Sequence, residues 1–231
     1  MRRGQPTVNA EFSHEVAVIM GDYLYSRAIE QLVKLESQPA LEIMSRVTNE
    51  LTVGEMREVV SYDGLGFSEE DYQSLILAKT ASLMAGACEL GALAGGPEWR
   101  DPLRRYGTDL GTAFQIADDM LDYSASSDVT GKPAGQDLRE HKVTLPLIAV
   151  VPLLNQDERI LLERLMANPT PDNAEISEAI RIVDGKGGVL AARDRALEFA
   201  RHAEAELDVI PQGAAREALM ASIFYCVERS R

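Results

Sequence analysis

The sequence predicts an all-α fold, one large helical bundle spanning residues 1–231. Three observations carry that expectation. Apolar residues recur at helical spacing along most of the chain, and no strand-like alternation persists. Aromatic residues make up only 6% of the sequence while alanine, leucine and glutamate are frequent, a balance that favours helix over sheet. The helical stretches are also separated by residues that start and stop helices for known physical reasons.

Taken in order, the first helix is expected over about Glu11 to Leu35, with Val16, Ile19, Met20, Tyr23 and Leu24 on its apolar side. Asp22, deep in that run, reads as a structural, hydrogen-bonding carboxylate. Pro39 opens a second helix with Leu41, Met44, Val47 and Leu51 at helical spacing. Asp63, Gly64 and Gly66 mark a break. Ser68 with Asp71 forms a capping box in which Asp replaces Glu, and starts a long helix that stops at Gly95-Gly96. Asp101-Pro102 starts the next, with Asp as the cap and Pro in the first turn. A polar loop with Gly131, Pro133 and Gly135 runs from Ser124 to Gln136, and Leu145 to Leu154 returns to helix. Breaks at Asn168-Pro169, Asp184–Gly188 and Pro211–Gly213 divide the remainder. No linker or low-complexity tract separates domains.

Composition excludes several function classes. The formal net charge is -14, against the basic surface of a nucleic-acid binder. His14, His141 and His202 are far apart, which argues against a zinc site. Cys88 and Cys226 lie in apolar helical runs and read as buried free thiols of a cytoplasmic protein. No apolar run reaches the length of a membrane span, so no transmembrane segment is expected. Polar residues after Met1-Arg2-Arg3 argue against a signal peptide.

The chemistry concentrates in Phe114-Gln115-Ile116-Ala117-Asp118-Asp119-Met120-Leu121-Asp122. Three carboxylates stand in an apolar helical run, where charge is costly unless paired or bound to a metal. Asp118 and Asp122 fall one turn apart on one face, with Asp119 beside them. Such hard oxygen donors suit Mg²⁺, which leaves coordination positions for substrate phosphate. A solvated acidic patch is the competing reading of the triplet alone. Lys79-Thr80 interrupts the apolar run from Leu75 to Leu83, either snorkelling to the surface or facing a phosphate. Gln115 precedes the aspartates on roughly their face. Beyond them come Gly131-Lys132-Pro133-Ala134-Gly135-Gln136-Asp137 and His141-Lys142, with glycine for close backbone approach and lysine for phosphate. The order is not that of a Walker loop. A long polar loop beside a charged site has the character of a lid.

Those runs, with Lys142-Val143-Thr144-Leu145-Pro146, Gly21-Asp22-Tyr23-Leu24, Lys79-Thr80-Ala81 and Arg2-Arg3-Gly4-Gln5-Pro6-Thr7, resemble the trans-isoprenyl diphosphate synthases, and most closely the longer-chain polyprenyl members. The resemblance implies an isoprenoid-synthase-like bundle and a prenyltransferase of isoprenoid biosynthesis. An allylic diphosphate ionises with the help of Mg²⁺, the double bond of isopentenyl diphosphate attacks the allylic cation, and a proton is lost. It implies that Asp118, Asp119 and Asp122 hold the metal and that Lys79, Lys132 and Lys142 add positive charge at the allylic diphosphate. It further implies that Arg2 contacts the allylic diphosphate, that Arg3 contacts that of isopentenyl diphosphate, and that Thr80 and Gln115 orient phosphate or metal-bound water. A homodimer, or a heteromer with another synthase subunit, is expected. The Gly-Lys loop and the Lys-Thr pair argue against a class I terpene cyclase.

One departure stands out. In the family a first Asp-rich motif shortly precedes the two arginines, and here Met1 stands immediately before Arg2. The expectation is therefore an amino-terminally truncated bundle holding the second of two metal motifs. Three readings compete: Met1 is an internal methionine of a longer chain, the chain is a non-catalytic or regulatory subunit of a complete synthase, or a partner supplies the missing aspartates.

Overall fold

The computed structural model describes residues 5–60, 64–124 and 134–228. Arg2, Arg3 and Lys132, and most of the loop expected between Ser124 and Gln136, lie outside the described residues. The described chain is helical almost throughout, as expected. It divides into two compact units, Met1–Ser45 and Arg46–Arg231.

The first unit carries α1 (Val8–Glu11), α2 (His14–Lys34) and the start of α3 (Gln38–Val60). Ser13 caps α2 by accepting a hydrogen bond from the Val16 N–H. Arg27 and Lys34 pair with Glu30 one turn away, on a solvated face. The predicted apolar side forms, but no residue of α2 is buried, and Val16, Ile19, Met20, Tyr23 and Leu24 are exposed. Asp22 corrects an expectation. It is exposed rather than structural, and its backbone carbonyl, not its carboxylate, accepts from the Ser26 hydroxyl.

In the second unit, Ser68 and Asp71 form the predicted capping box at the head of α4 (Glu69–Ile76). A single π turn, Leu77–Ala81, joins α4 to α5 (Ser82–Gly95). Sequence periodicity does not reveal that turn. It inserts one residue's worth of backbone and re-aims Lys79 and Thr80. Glu69–Gly95 as one run is long and apolar enough to cross a membrane by length and composition, which corrects the expectation that no such run exists. Part of its apolar surface lies in the core, where Tyr72, Ile76, Ala81, Ala85 and Ala92 are buried, while Leu77 and Leu83 stay exposed. Glu89 is also buried on α5, clamped between Arg46 and, at 2.7 Å, Arg100, which satisfies its charge.

Trp99 lies across Gly96, where a Cβ would meet its ring at 2.4 Å. The next helix, α6 (Arg100–Ser124), starts just before the predicted Asp101 cap, because Pro97–Trp99 forms a 3₁₀ turn that leads into it. α6 is the centre of this unit. Gly107 and Gly111 bring it against α5 so closely that a Cβ at either would sit under 3 Å from the backbone of Ala85 or Ala81.

Beyond the loop come α7 (Gln136–Arg139), α8 (Leu145–Val150), α9 (Gln156–Ala167), α10 (Asn173–Gly185), α11 (Gly188–Glu206) and α12 (Ala214–Glu228). These match the predicted breaks, except that the helix expected over Leu145 to Leu154 turns 3₁₀ at Val151–Leu153, where Pro152 removes a donor. Ala192, Ala196, Ala200 and Ala203 make a small-residue stripe on α11 that is buried within the same clusters as Ile116, Met120 and Tyr106 of α6. Of the two cysteines, Cys226 is buried as expected and Cys88 only half-buried; both are free thiols.

Candidate active site

A cavity of about 380 Å³ opens beside α6 in the second unit. Tyr72, Leu75 and Ile76 of α4, Lys79 and Thr80 of the π turn, and Gln115 and Asp119 of α6 line it. Glu58 of α3, Asp137 of α7, and Glu140, His141, Lys142 and Thr144 add to the lining, with Phe67 and Val143 among its apolar residues.

One hydrogen-bond chain organises the α6 side. The Thr80 hydroxyl donates to Gln115 Oε1 at 2.8 Å, and Gln115 Nε2 donates to Asp119 Oδ1 at 2.8 Å. The Tyr72 hydroxyl donates to the other Asp119 oxygen at 2.7 Å. Helix geometry explains the first links. Gln115 and Asp119 are four apart on α6 and so share a face, and the π turn swings Thr80 onto it. Three predicted site residues, Thr80, Gln115 and Asp119, are thereby joined.

The other two aspartates go elsewhere. Asp118 is exposed. Asp122 accepts from the backbone N–H groups of Gln136 at 2.9 Å and Asp137 at 2.8 Å, holding the start of α7. Neither lines the cavity, and among the described residues no three His, Cys, Asp or Glu side chains are gathered around one metal position. Among the described residues three other carboxylates line the cavity with Asp119, namely Glu58, Asp137 and Glu140, and the aspartate of the three, Asp137, has no role in the sequence-based expectation. Its signal was present in the sequence, an acid just after a glycine that takes a left-handed turn. Gly135 has φ +77°, and a Cβ there would meet Ile176 at 2.3 Å.

The acidic groups are strained by their surroundings. Burial, then the charges of Asp137 and Asp118, push Asp119 up to about 7 despite the lowering hydrogen bonds from Tyr72 and Gln115. Burial, then the charges of Asp122, Glu140 and Asp118, push Asp137 up to about 6, with Lys142 pulling the other way. Burial, then the charge of Asp119, raises the Tyr72 phenol well above its ordinary value, so it stays a donor.

The lysines are differently placed. Lys79 ion-pairs with Glu58 and, at 3.5 Å, with Glu55. Lys142 pairs with Glu140 at 2.7 Å and lies 3.9 Å from Glu58. Burial lowers Lys142, but the hydrogen bond to Glu140 and the charges of Glu140, Asp137 and Glu58 leave it above the usual lysine value. Lys79 lines the cavity and is 28% exposed, so its ammonium is held by glutamates at the cavity rather than standing alone in solvent. His141 holds an uncommon backbone for a non-glycine residue, φ +58°, and its ring Nε2 lies 2.7 Å from the Asn168 carbonyl oxygen.

The residues present fit a divalent cation. Two carboxylates with raised proton affinity, Asp119 buried and Asp137 half-buried, share one cavity with neutral oxygen donors from Thr80 and Gln115. Such a set holds more negative charge than its own partners neutralise.

Comparison with known proteins shows what the chain as a whole is similar to. The family model described as polyprenyl synthetase matches residues 1–183. An all-trans-nonaprenyl-diphosphate synthase (geranyl-diphosphate specific) of Rhodobacter capsulatus is 38% identical over 95% of this chain and 67% of its own length. Component 2 of a heptaprenyl diphosphate synthase of Geobacillus stearothermophilus is 34% identical over 99% of this chain and 71% of its own. The crystal structure of a polyprenyl synthase from Caulobacter crescentus CB15, complexed with calcium and isoprenyl diphosphate, superposes with a TM-score of 0.93. That structure is 36% identical, and the match covers 100% of this chain and 71% of that one.

Proposed function

This chain belongs to the polyprenyl synthetase family, and from that premise we propose that it is a prenyltransferase that extends an allylic diphosphate with isopentenyl diphosphate, using Mg²⁺. One observation carries the reading to this site: two lysines and two proton-hungry carboxylates line a single cavity. The calcium and isoprenyl diphosphate in the Caulobacter structure support a divalent metal beside a diphosphate.

The residues divide the work by charge. Asp119 and Asp137 hold the metal, with Asp118 and Asp122 of the same acidic cluster close enough to strengthen the local field. When bound, the metal neutralises charge on the departing diphosphate. Lys79 and Lys142 meet the same growing negative charge as the allylic C–O bond breaks. The Thr80–Gln115 pair fixes the Asp119 carboxylate and presents neutral oxygens to the ligand. Phe67, Leu75, Ile76 and Val143 give the cavity apolar wall, which keeps water from the allylic cation until the double bond of isopentenyl diphosphate attacks it. Arg2, Arg3 and Lys132 are proposed to contact the diphosphates as the resemblance implies.

The test is incubation of the chain with labelled isopentenyl diphosphate and an allylic diphosphate, alone and with a complete synthase as partner. The expected outcome is label moving into solvent-extractable polyprenyl product with Mg²⁺ and none with EDTA. Failure in every combination, or elongation indifferent to EDTA, sinks the reading.

A second observation bears on assembly. The 21 residues of α2 include none that is buried, and its apolar side is exposed. Isolated apolar faces of this extent mark interaction surfaces. We infer that α2 docks on another synthase chain, a second copy or a different subunit; a relative named as component 2 of its synthase supports an assembly of more than one chain. Light scattering on the purified chain is expected to give a dimer; a stable monomer that also captures no complete synthase overturns it.

A further inference from the structure

Glu58 lies between the two lysines of the cavity. One of its carboxylate oxygens pairs with Lys79 and the other faces Lys142 at 3.9 Å, so one carboxylate spans both cavity lysines. It is the most sheltered of their acidic partners, with a side chain 26% exposed against 61% for Glu55 and 46% for Glu140. Its position is built into the backbone. Gly54, one turn earlier on the same face of α3, lets the helix sit against the π turn; a Cβ there would meet the Ala78 Cβ and the Lys79 nitrogen at 3.1 Å.

We propose that Glu58 is an internal competitor for the diphosphate, a residue that sets affinity by occupying both lysines until the ligand displaces it. The inference rests on the proposed function of this cavity. The alternative, that Glu58 arranges the lysines for the ligand, is disfavoured by their other partners. Glu55 also pairs with Lys79, and Glu140, at the cavity wall, pairs with Lys142, so each lysine keeps an anchor when Glu58 is removed. What Glu58 adds is a negative charge between the two lysines, in a partly sheltered place where screening is weak. A diphosphate entering there must break both pairs and then lie beside a like charge.

Calorimetric titration of inorganic pyrophosphate into the full chain with Mg²⁺ present tests this. Glu58→Gln keeps size and helix propensity, and is expected to bind pyrophosphate about tenfold more tightly. Glu58→Ala is expected to change affinity in the same direction, and Glu55→Gln by about twofold or less, since that partner is exposed. In a Lys79→Met background the gain from Glu58→Gln is expected to shrink below about threefold, because the competition acts through that lysine. Unchanged or weaker binding by both Glu58 variants overturns the proposal, as does an equal gain from Glu55→Gln or a full gain without Lys79. The parent reading fails separately, if Lys79→Met alone leaves pyrophosphate affinity unchanged.

Discussion

The acidic and basic residues of the cavity satisfy their charges in opposite ways. Asp119 is buried at 6% exposure, and the groups that touch it, the Tyr72 hydroxyl and the Gln115 amide, are neutral donors. Lys79 and Lys142 are 28% and 38% exposed and already paired with glutamates. Asp119 therefore keeps an unmet demand for positive charge, and Asp137 meets only part of its own through Lys142, while the lysines meet theirs within the protein. A cation entering this cavity gains what the protein lacks. An anion must take what the protein already holds. That asymmetry favours metal before, or together with, diphosphate.

The largest expected effect comes from removing the unmet charge. Asp119→Asn is expected to weaken Mn²⁺ binding, followed by paramagnetic resonance, on the order of 100-fold, and to abolish elongation. The same variant has a signature in the metal-free protein. Asp119 is raised from an ordinary carboxylate value near 4 to about 7, so the folded state binds its proton more tightly than the unfolded state. The contribution of Asp119 to folding is therefore fully present below about pH 4 and is lost as pH rises from about 4 to about 7. Asp137 adds a loss of the same sign that ends near 6. With Asp119 contributing roughly a few kcal/mol, the metal-free wild type is expected to melt progressively lower across that window. Asp119→Asn is expected to flatten most of the decline. A wild-type melting temperature that rises through this window, or an unaltered slope in the variant, breaks the contrast between the two groups.

The fold was readable because its signals are local. Ser68 with Asp71, Gly95-Gly96 and the breaks near Asn168, Asp184 and Pro211 act through a few neighbouring residues, and each was found. The site was readable only in part. Thr80, Gln115 and Asp119 meet because helix spacing carries two of them, although the π turn that delivers Thr80 leaves no periodic trace. Grouping Asp118, Asp119 and Asp122 by helical position alone misjudged their surroundings. A helix face places them within a turn of one another, but Tyr72 draws one into the cavity and the backbone of α7 engages another. Asp137 and Glu58 were missed because they arrive from other segments, and nothing local couples either to its partners. For α2 the pattern gave the helix and its apolar side, and a bundle short of its amino-terminal helices is expected to leave apolar surface exposed, but nothing local says that α2 is where it lies.

The smallest expected effect separates the two groups most finely. Tyr72→Phe removes one neutral donor from Asp119 and leaves every charge in place. Its hydrogen bond lowers the Asp119 proton affinity, so its loss is expected to move the carboxylate further up from about 7. Stability near neutral pH is expected to fall by about 1–2 kcal/mol, the scale of a hydrogen bond to a charged acceptor. The midpoint of pH-dependent Mn²⁺ binding is expected to move to higher pH, since a tighter proton competes better with the metal. Pyrophosphate affinity at saturating metal is expected to stay close to wild type, because the lysines and Glu58 are unaltered. A variant that leaves the metal midpoint in place but shifts pyrophosphate binding would mean that Tyr72 serves the anion, and the division of the cavity into a starved acidic group and a satisfied basic one would not stand.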